Sequence, residues 1–492
     1  MSETYAQATE WNRREFPEAA RELLQNSQTR KNVQHATNVI QGKRNRVVAE
    51  LPDWEDLRES GAQVRAHTLR HLDHYLTQFE ENCTRAGGHV HWASDAAEAR
   101  RIILGLVQQH QAKEVIKIKT MTSEEIGLNA HLEANGVRPI ETDLAELIIQ
   151  LGKDRPSHFV APALHVNRQQ VRTMFQREMN LPELGEAPED LATAARTYLR
   201  EKYLRIKVAI SGGNFLIADT GGMCILESEG NGRMCLTLPD VLISIVGIEK
   251  VIPSYRDLEI FLQTVPRSAT GERMNPYNST WCGVHPGDGP KEFHVVLLDN
   301  GRSPILADKE ARQTLQCVRC AACLNVCPVY HQTGGHAYES VYAGPIGAIL
   351  TPQLQSMKAG RSLPYASSLC GACYEVCPVK INIPEVLIHL RGKVVREDQA
   401  TLSGKLSLWN IGMQAAAFLF KDAGRLAIAE SLGQIGQKPL VSKNGFIEWM
   451  PLMLNGWTQT RDLKAMPAQS FREWWKERAP NVVPRHDKGD AR

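Results

Sequence analysis

Two cysteine-rich blocks in the second half of the chain constrain its fold more than any other feature. The first reads C-V-R-C-A-A-C-L-N-V-C-P and runs from Cys317 to Pro328. The second reads C-G-A-C-Y-E-V-C-P and runs from Cys370 to Pro378. The C-x2-C-x2-C-x3-C-P spacing of the first block is that of bacterial ferredoxins, in which three thiolates hold one [4Fe–4S] cube and the fourth serves another. The blocks therefore predict a module with two iron–sulfur clusters.

The ferredoxin rule assigns the seven cysteines, because the last cysteine of each block crosses to the other cluster. The ligands predicted for the first cluster are Cys317, Cys320, Cys323 and Cys377. Those predicted for the second are Cys327, Cys370 and Cys373. The missing fourth position falls on Ser367, three residues before Cys370. A serine ligand, a water, a partner's side chain and the empty corner of a [3Fe–4S] cluster are the alternatives for it.

Structural zinc is the competing interpretation of the two blocks. Zinc sites close at four ligands and commonly use two C-x2–4-C pairs, which would leave three of the seven cysteines unexplained. The triplet spacing of the first block also suits the corner of a cube better than a tetrahedral ion. We therefore expect two iron–sulfur clusters, of the [4Fe–4S] type unless the second lacks its fourth ligand.

Length and charge limit what surrounds the clusters. A chain of 492 residues is too long for one hydrophobic core and predicts several domains. The 57 Lys and Arg residues nearly balance the 55 Asp and Glu residues, which argues against a nucleic-acid-binding protein. Neither a secretory signal nor an apolar run of membrane-spanning length is visible. We expect a cytoplasmic protein, in which cysteines at this spacing bind metal and do not form disulfides.

The chain between the N-terminal arm and the cysteine blocks alternates helical and strand-like patterns, which predicts an α/β domain with a mostly parallel sheet over residues 56–303. Amphipathic helices are predicted at Ala96 to Gln111 and Asp190 to Tyr203. The predicted strands are Glu114 to Lys119, Arg138 to Glu141, Ser157 to Ala161, Lys207 to Ser211, Met223 to Glu227, Val241 to Val246 and Phe293 to Leu298.

Three further regions complete the predicted organisation. Residues 1–55 are basic and sparsely apolar and are predicted to form a helical arm. Residues 304–396 form the α-helical two-cluster domain, and residues 397–492 form a helical extension. The extension contains the apolar run Ser407 to Phe420 and the pair Trp474 and Trp475. These side chains either pack on their own chain or offer a docking face to another subunit or to a membrane surface.

A glycine-rich segment, Ile210 to Pro239, is the richest part of the α/β domain in candidate ligand-binding residues. Its glycine pairs allow backbone amides to approach a ligand closely, although such pairs often mark ordinary turns. Polar side chains accompany the turns, and the candidates for contact with a small carboxylate are Asn214, Asp219 and Arg233. An arginine such as Arg233 either receives a carboxylate or phosphate through two hydrogen bonds or pairs with Asp219 or Glu229 inside the protein.

This segment, together with Lys117 to Asn129 and Glu292 to Ser303, resembles the lactate-utilisation domain. The order of that domain, the two cysteine blocks and a C-terminal extension resembles the lactate utilisation protein B family of bacterial iron–sulfur subunits. The resemblance implies an isomerase- and CoA-transferase-like α/β fold. It also implies a system that oxidises L-lactate to pyruvate without NAD, together with a cysteine-rich-repeat protein and a lone lactate-utilisation-domain protein.

The absence of a nucleotide-binding motif agrees with this expectation. No G-x-G-x-x-G follows a strand and no P-loop is present, so neither an NAD nor an ATP site is predicted. The first hypothesis is an electron-transfer subunit that passes electrons to a downstream acceptor, with membrane association only through a partner. The alternatives are that the α/β domain binds and transforms a small carboxylate or acyl thioester, or that it is a scaffold for sister subunits.

Overall fold

The computed structural model describes residues 14–451, 454–459 and 461–482. The chain divides into two compact units, Met1–Val394 and Val395–Arg492. The first unit contains the α/β domain and both cysteine blocks.

From residue 14 onward, four helices precede the α/β sheet. The second begins after Asn26, whose side chain accepts a hydrogen bond from the backbone N–H of Thr29, as expected of an N-cap. The helices are α1 Phe16–Leu23, α2 Ser27–Ala49, α3 Trp54–Arg70 and α4 Leu72–Arg85. The predicted arm is therefore helical in its described part.

The α/β domain follows with ten strands. The strands are β1 Gly88–Ala93, β2 Glu114–Lys117, β3 Arg138–Glu141, β4 Val208–Ser211, β5 Phe215–Ile217, β6 Gly222–Glu227, β7 Val241–Gly247, β8 Val251–Ile252, β9 Tyr277–Trp281 and β10 Glu292–Leu298. The helices between them are α5 Ala96–Gln109, α6 Met121–Glu125, α7 Leu128–Ala134, α8 Leu144–Gly152, α9 Arg168–Glu178, α10 Pro188–Arg205, α11 Asn231–Thr237 and α12 Tyr255–Ala269.

The main sheet has six strands in the order β1-β10-β7-β4-β2-β3, and every pair is parallel. Its central strand β7 is apolar on both faces. Ile243 and Ile245 pack into the core on one side, and Leu242 and Val246 pack on the other. Burial on both faces is the normal state of a parallel sheet covered by helices, and it confirms the predicted α/β class. A smaller mixed sheet, β8-β5-β6-β9, adjoins it.

One predicted strand is wrong. Residues 157–161 form a loop, although S-H-F-V-A has a strand-like composition. The ring nitrogen Nδ1 of His158 accepts hydrogen bonds from the backbone N–H groups of Val160 and Ala161, and the N–H of Ser157 donates to the carbonyl of Pro162. These local bonds use the groups that a sheet neighbour would need.

The cysteine module is built from short helices around an apolar core. They are α13 Arg302–Ala307, α14 Ala322–Asn325, α15 Pro328–Thr333, α16 Gly344–Leu354, α17 Ala372–Glu375 and α18 Ile383–Ala400. Six of the seven cysteines, all except Cys370, belong to the same buried cluster as Val33 of α2 and Phe261 of α12. The module is thus packed into the first unit.

The second unit is mainly helical, as predicted. It contains α19 Leu402–Lys405, α20 Leu408–Phe420, α21 Ala423–Gly436, α22 Asn455–Thr458 and α23 Phe471–Val482, with a short antiparallel pair, β11 Phe446–Ile447 and β12 Leu463–Lys464. Many of its large apolar side chains are exposed, among them Trp409 and Phe420. Within the described ranges, no helix combines the length and apolar character needed to cross a membrane.

Candidate functional site

The four cysteines predicted for the first cluster surround one small cavity. The cysteines that line it are Cys317, Cys320, Cys323 and Cys377, and the other lining residues are apolar. All four are buried. The structure thus brings together residues that are as much as 60 positions apart, as the crossing rule requires.

Cationic side chains hold the backbone around this cavity. Arg58 Nε donates to the carbonyl oxygen of Cys377 at 2.9 Å, and Lys250 Nζ donates to that of Cys317 at 3.3 Å. Arg65 Nη2 donates to the carbonyl of Leu315 at 3.0 Å, and Arg44 Nη2 to that of Val376 at 3.2 Å. All four cations are less than a tenth exposed.

These buried cations fit an anionic cluster. Burial lowers the pKa of Arg65 to about 10, and burial together with Arg319 lowers that of Lys250 to about 7, because a cation loses its hydration inside the protein. A cube held by four thiolates carries net negative charge and would compensate this loss. The cavity, its thiols and its cations therefore suit an iron–sulfur cluster.

The cysteines predicted for the second cluster lie in a more open environment. Cys327 and Cys373 are buried, whereas Cys370 is exposed. The three thiols interact electrostatically with one another. Cys327 Sγ accepts a hydrogen bond from the backbone N–H of Tyr330 at 3.5 Å, the kind of contact that stabilises thiolate ligands. The structure therefore also gathers the second set.

The two blocks repeat the same backbone path. In the first, Arg319 and Ala321 have φ of 59° and 62°, and in the second, Leu369 and Gly371 have φ of 57° and 86°. Non-glycine residues rarely adopt positive φ, so three such residues and one glycine at matching positions mark a shared loop. A short helix begins directly after each loop, at Ala322 and at Ala372.

Within this repeat, Ser367 corresponds to Cys317. The N–H of Arg319 donates to Cys317 Sγ at 3.4 Å, and the N–H of Leu369 donates to Ser367 Oγ at 3.1 Å. In both loops, the donor lies two residues after the side chain that accepts the bond. The hydroxyl of Ser367 therefore has the same place in its loop as a predicted cluster ligand.

A second cavity, of about 230 Å³, lies at the carboxyl ends of the parallel strands. Its lining includes Lys119 after β2, Gly212 after β4 and Lys250 close after β7. Arg319, which lies between two cysteines of the first block, also lines it. Ligands of open parallel sheets commonly bind at this edge, and here that edge adjoins the first cysteine loop.

Two cationic groups of this cavity have no hydrogen-bond partner among the described residues, Lys119 Nζ and Arg319 Nη1. The carboxylate recorded beside Lys119, that of Glu146, is 3.9 Å away. On the acidic side of the cavity, burial and the neighbouring Asp143 raise the pKa of Glu229 to about 7. The cavity thus offers donors for an anion and a carboxyl group that titrates near neutral pH.

The three residues predicted to contact a small carboxylate do not lie together. Asn214 lines the cavity, and its Oδ1 accepts a bond from the N–H of Leu226. Asp219 accepts hydrogen bonds from the N–H of Tyr255 at the start of α12, and the guanidinium of Arg233 lies over the ring of Tyr277. Neither Asp219 nor Arg233 lines the cavity.

Sequence reasoning missed Lys119, Lys250 and Arg319. Lys119 lies in the K-x-K-T-M-T segment that carried part of the family resemblance, and Arg319 lies inside the first cysteine block. Their places in these two motifs were the signals in the sequence that could have identified Lys119 and Arg319. Nothing in the local sequence indicates that the loop after β7 brings Lys250 to the same place.

Two known domain families match the chain in the order that the sequence predicted. The LUD domain matches residues 76–298, and the 4Fe-4S dicluster domain matches residues 313–381. The second match includes all seven cysteines of the two blocks.

Similar proteins cover nearly the whole chain. "Lactate utilization protein B" of Oceanobacillus iheyensis is 43% identical over 87% of this chain and 89% of its own length. The proteins of the same name from Bacillus licheniformis and Bacillus subtilis are 42% and 41% identical over 94% of this chain, and each is covered over 96% of its length. This chain belongs to the lactate utilization protein B family. Family membership, the dicluster domain and the gathered cysteines together make it a lactate utilization iron–sulfur protein.

Among solved structures, a DUF162 family protein from Deinococcus radiodurans is 13% identical, with a TM-score of 0.26. The alignment covers 46% of this chain and 98% of that one. The fold described above rests on this chain's own elements.

Proposed function

We propose that this chain is the electron-transfer subunit of an NAD-independent system that oxidises L-lactate to pyruvate. The observation that carries the proposal is the pair of matching cysteine loops inside one packed module. Iron–sulfur clusters, when bound, accept and release single electrons, and the protein sets their potential and access. The names of the relatives supply the link to lactate.

The residues of the chain have distinct parts in this role. The buried cysteines and the cations that hold their loops exclude water from the first cluster. Cys370, which is exposed, brings the second cluster to the surface, where electrons exchange with a partner. The proposed partners are a cysteine-rich-repeat protein, a lone lactate-utilisation-domain protein and a downstream acceptor, in the cytoplasm.

We further propose that both clusters are of the [4Fe–4S] type and that Ser367 Oγ completes the second. The support is the correspondence between Ser367 and Cys317 in the repeated loop. An oxygen donor is harder than a thiolate and is unusual on such a cluster. Ligation by Ser367 is therefore tested by spectroscopy of the cluster and does not depend on a measurement of turnover.

The test of the electron-transfer role uses the anaerobically purified protein with its clusters bound. Dithionite is expected to bleach the visible absorbance, and L-lactate alone is not. L-lactate is expected to bleach it once both partner proteins are added. Bleaching of the isolated chain by lactate would contradict the proposal.

The cavity supports a second candidate, in which the α/β domain itself binds a small carboxylate. Lys119 Nζ and Arg319 Nη1, which form no hydrogen bond, favour it, because a buried donor atom left unsatisfied is costly unless a bound anion accepts from it. Calorimetry with L-lactate, pyruvate and propionate tests this candidate. Lys119→Met is expected to abolish binding, while exposed Lys291→Met, on the opposite edge of the sheet, leaves it unchanged.

A further inference from the structure

A group of histidines with one glutamate lies at the amino-end edge of the main sheet, opposite the edge that carries the cavity. His89 and His91 lie on β1, Glu292 and His294 lie on β10, and His110 directly follows α5. None of these residues has a part in the proposed electron transfer.

The fold explains why distant histidines meet here. His89 and His294 are partners in the parallel pairing of β1 with β10, and alternate residues of a strand point to the same face. His89, His91, Glu292 and His294 therefore share one face of the sheet. Helix α5 packs against both strands and returns the chain to the amino edge, where His110 ends it.

Three donor atoms converge at this point. His110 Nε2 is 3.1 Å and His294 Nε2 is 3.4 Å from Glu292 Oε2, and the three atoms all lie within 4.8 Å of one another. Bonds of about 2.0–2.1 Å to a tetrahedral zinc ion place its ligands about 3.4 Å apart. The spacing therefore suits a single metal ion.

One of the three donors is unsatisfied. His110 Nε2 is buried and forms no hydrogen bond, although Glu292 Oε2 lies within hydrogen-bond distance, because the ring and the carboxylate are not aligned. His110 Nε2 and Glu292 Oε2 thus lie close together without a hydrogen bond between them, as two ligands of one metal ion would. Buried polar atoms without partners are rare and call for an explanation.

A further histidine supports the site from outside. His294 Nδ1 is 3.1 Å from His91 Nε2, so a proton on Nδ1 would leave Nε2 free to bind a metal. Histidine ligands usually hold their other ring nitrogen in such a bond, which fixes tautomer and orientation.

We propose that His110, Glu292 and His294 bind one first-row divalent cation, of which Zn²⁺ fits the ligand set best. Two histidines and one carboxylate are an established zinc set that leaves a fourth position for water. His110 also lines a groove of about 380 Å³, which gives the site access to solvent. The bound ion would join the end of α5 to β10.

Two other groups of acids and histidines lack this character. In the first, His165 is bonded through Nδ1 to Ser157 and through Nε2 to Asp154, and none of the group's described donor atoms is a buried atom without a partner. In the second, Asp308 is paired with Lys393 and His389, so a cation is already present. The group around Glu292 differs because it contains a buried donor atom without a hydrogen-bond partner, His110 Nε2.

Zinc titration of the cluster-loaded protein by anaerobic calorimetry tests the proposal. One ion per chain is expected, and His110→Gln and His294→Gln are each expected to weaken binding by ~100-fold or more, since even outer-shell changes cost 10–100-fold. His89→Gln is the matched control. That residue is exposed and stacks on His294 but contributes no ligand atom, so its affinity is expected to stay within about twofold of the wild type.

Two further measurements check that the clusters stay intact during the titration and that the variant is folded. Unchanged visible absorbance during the titration shows that zinc has not displaced cluster iron. Equal iron content in His110→Gln and the wild type shows that the variant is folded. Absence of zinc binding in the wild type, or equal affinity in His110→Gln and the wild type, would overturn the proposal.

Discussion

The first and second cysteine blocks share a backbone and differ in their surroundings. The loop at Cys317 is buried, is held by Arg65 of α3 and by Lys250 through the carbonyls of Leu315 and Cys317, and adjoins the cavity of the α/β domain. The loop at Ser367 replaces the first thiol with a hydroxyl and leaves Cys370 exposed. Local sequence repeats the loop, whereas its tertiary neighbours give each copy a different electrostatic environment.

The difference indicates separate parts for the two clusters. Positive charge near a cluster favours its reduced form, and burial protects it from solvent. We therefore expect the first cluster to have the higher potential and the second to be the point of exchange with a partner. Four predictions test this comparison.

The largest effect is expected from removing a buried cysteine. Cys320→Ala would abolish the first cluster and remove the negative charge that compensates buried Arg44 and Arg65, at a cost of ~3–5 kcal/mol. Cys370→Ala is expected to remove only the second cluster. Iron content and thermal unfolding measure both effects, and equal destabilisation by the two variants would break the comparison.

The next effect concerns Ser367. Ser367→Ala is expected to convert the second cluster to a [3Fe–4S] form with an EPR signal in the oxidised state, and Ser367→Cys is expected to keep the [4Fe–4S] form. Cys317→Ser provides the converse change in the first block. A [3Fe–4S] signal already present in the wild type and lost in Ser367→Cys would show that the corner is vacant.

The cations are expected to have intermediate effects. Arg58→Met should lower the potential of the first cluster by roughly 50–100 mV, the size of a unit charge ~8 Å away at an effective dielectric of about 20. Arg58→Lys keeps the positive charge, so the first cluster should retain most of its wild-type potential.

Near the second cluster, Arg391 Nη2 donates to the carbonyl of Ser367 at 3.4 Å, and Arg391→Met should lower that potential by less because solvent screens it. Potentiometric EPR titrations resolve the two clusters. A larger shift from Arg391→Met than from Arg58→Met would reverse the proposed contrast.

The smallest effect is expected from Tyr338. Its buried hydroxyl interacts with Cys327 and has no oxygen or nitrogen partner among the described residues. Tyr338→Phe should lower the potential of the second cluster by ~40 mV, which corresponds to about 1 kcal/mol for one hydrogen bond, and leave the first unchanged. A shift in the first cluster alone would show that the phenol serves the other site.

The sequence by itself determined the iron–sulfur module and the parallel α/β class, and it predicted the crossing pattern of cluster ligands. Cysteine spacing is a local property set by the size of a cluster, and the apolar strands of a covered parallel sheet are visible as short runs. The strand predicted at Ser157 failed because the ring of His158 satisfies nearby backbone N–H groups, a contact that strand composition does not encode.

Only the tertiary structure decided which cations hold the first cluster, which donors of the cavity are unpaired, and that His110 meets Glu292 and His294. Each of these sets joins residues far apart in the chain, whose proximity depends on strand order and helix packing. The loops of the cysteine blocks could be predicted without knowing strand order or helix packing, because each loop is short enough to form its own turn. What distinguishes the two loops is their neighbours, and those come from α2, α3 and the strand ends.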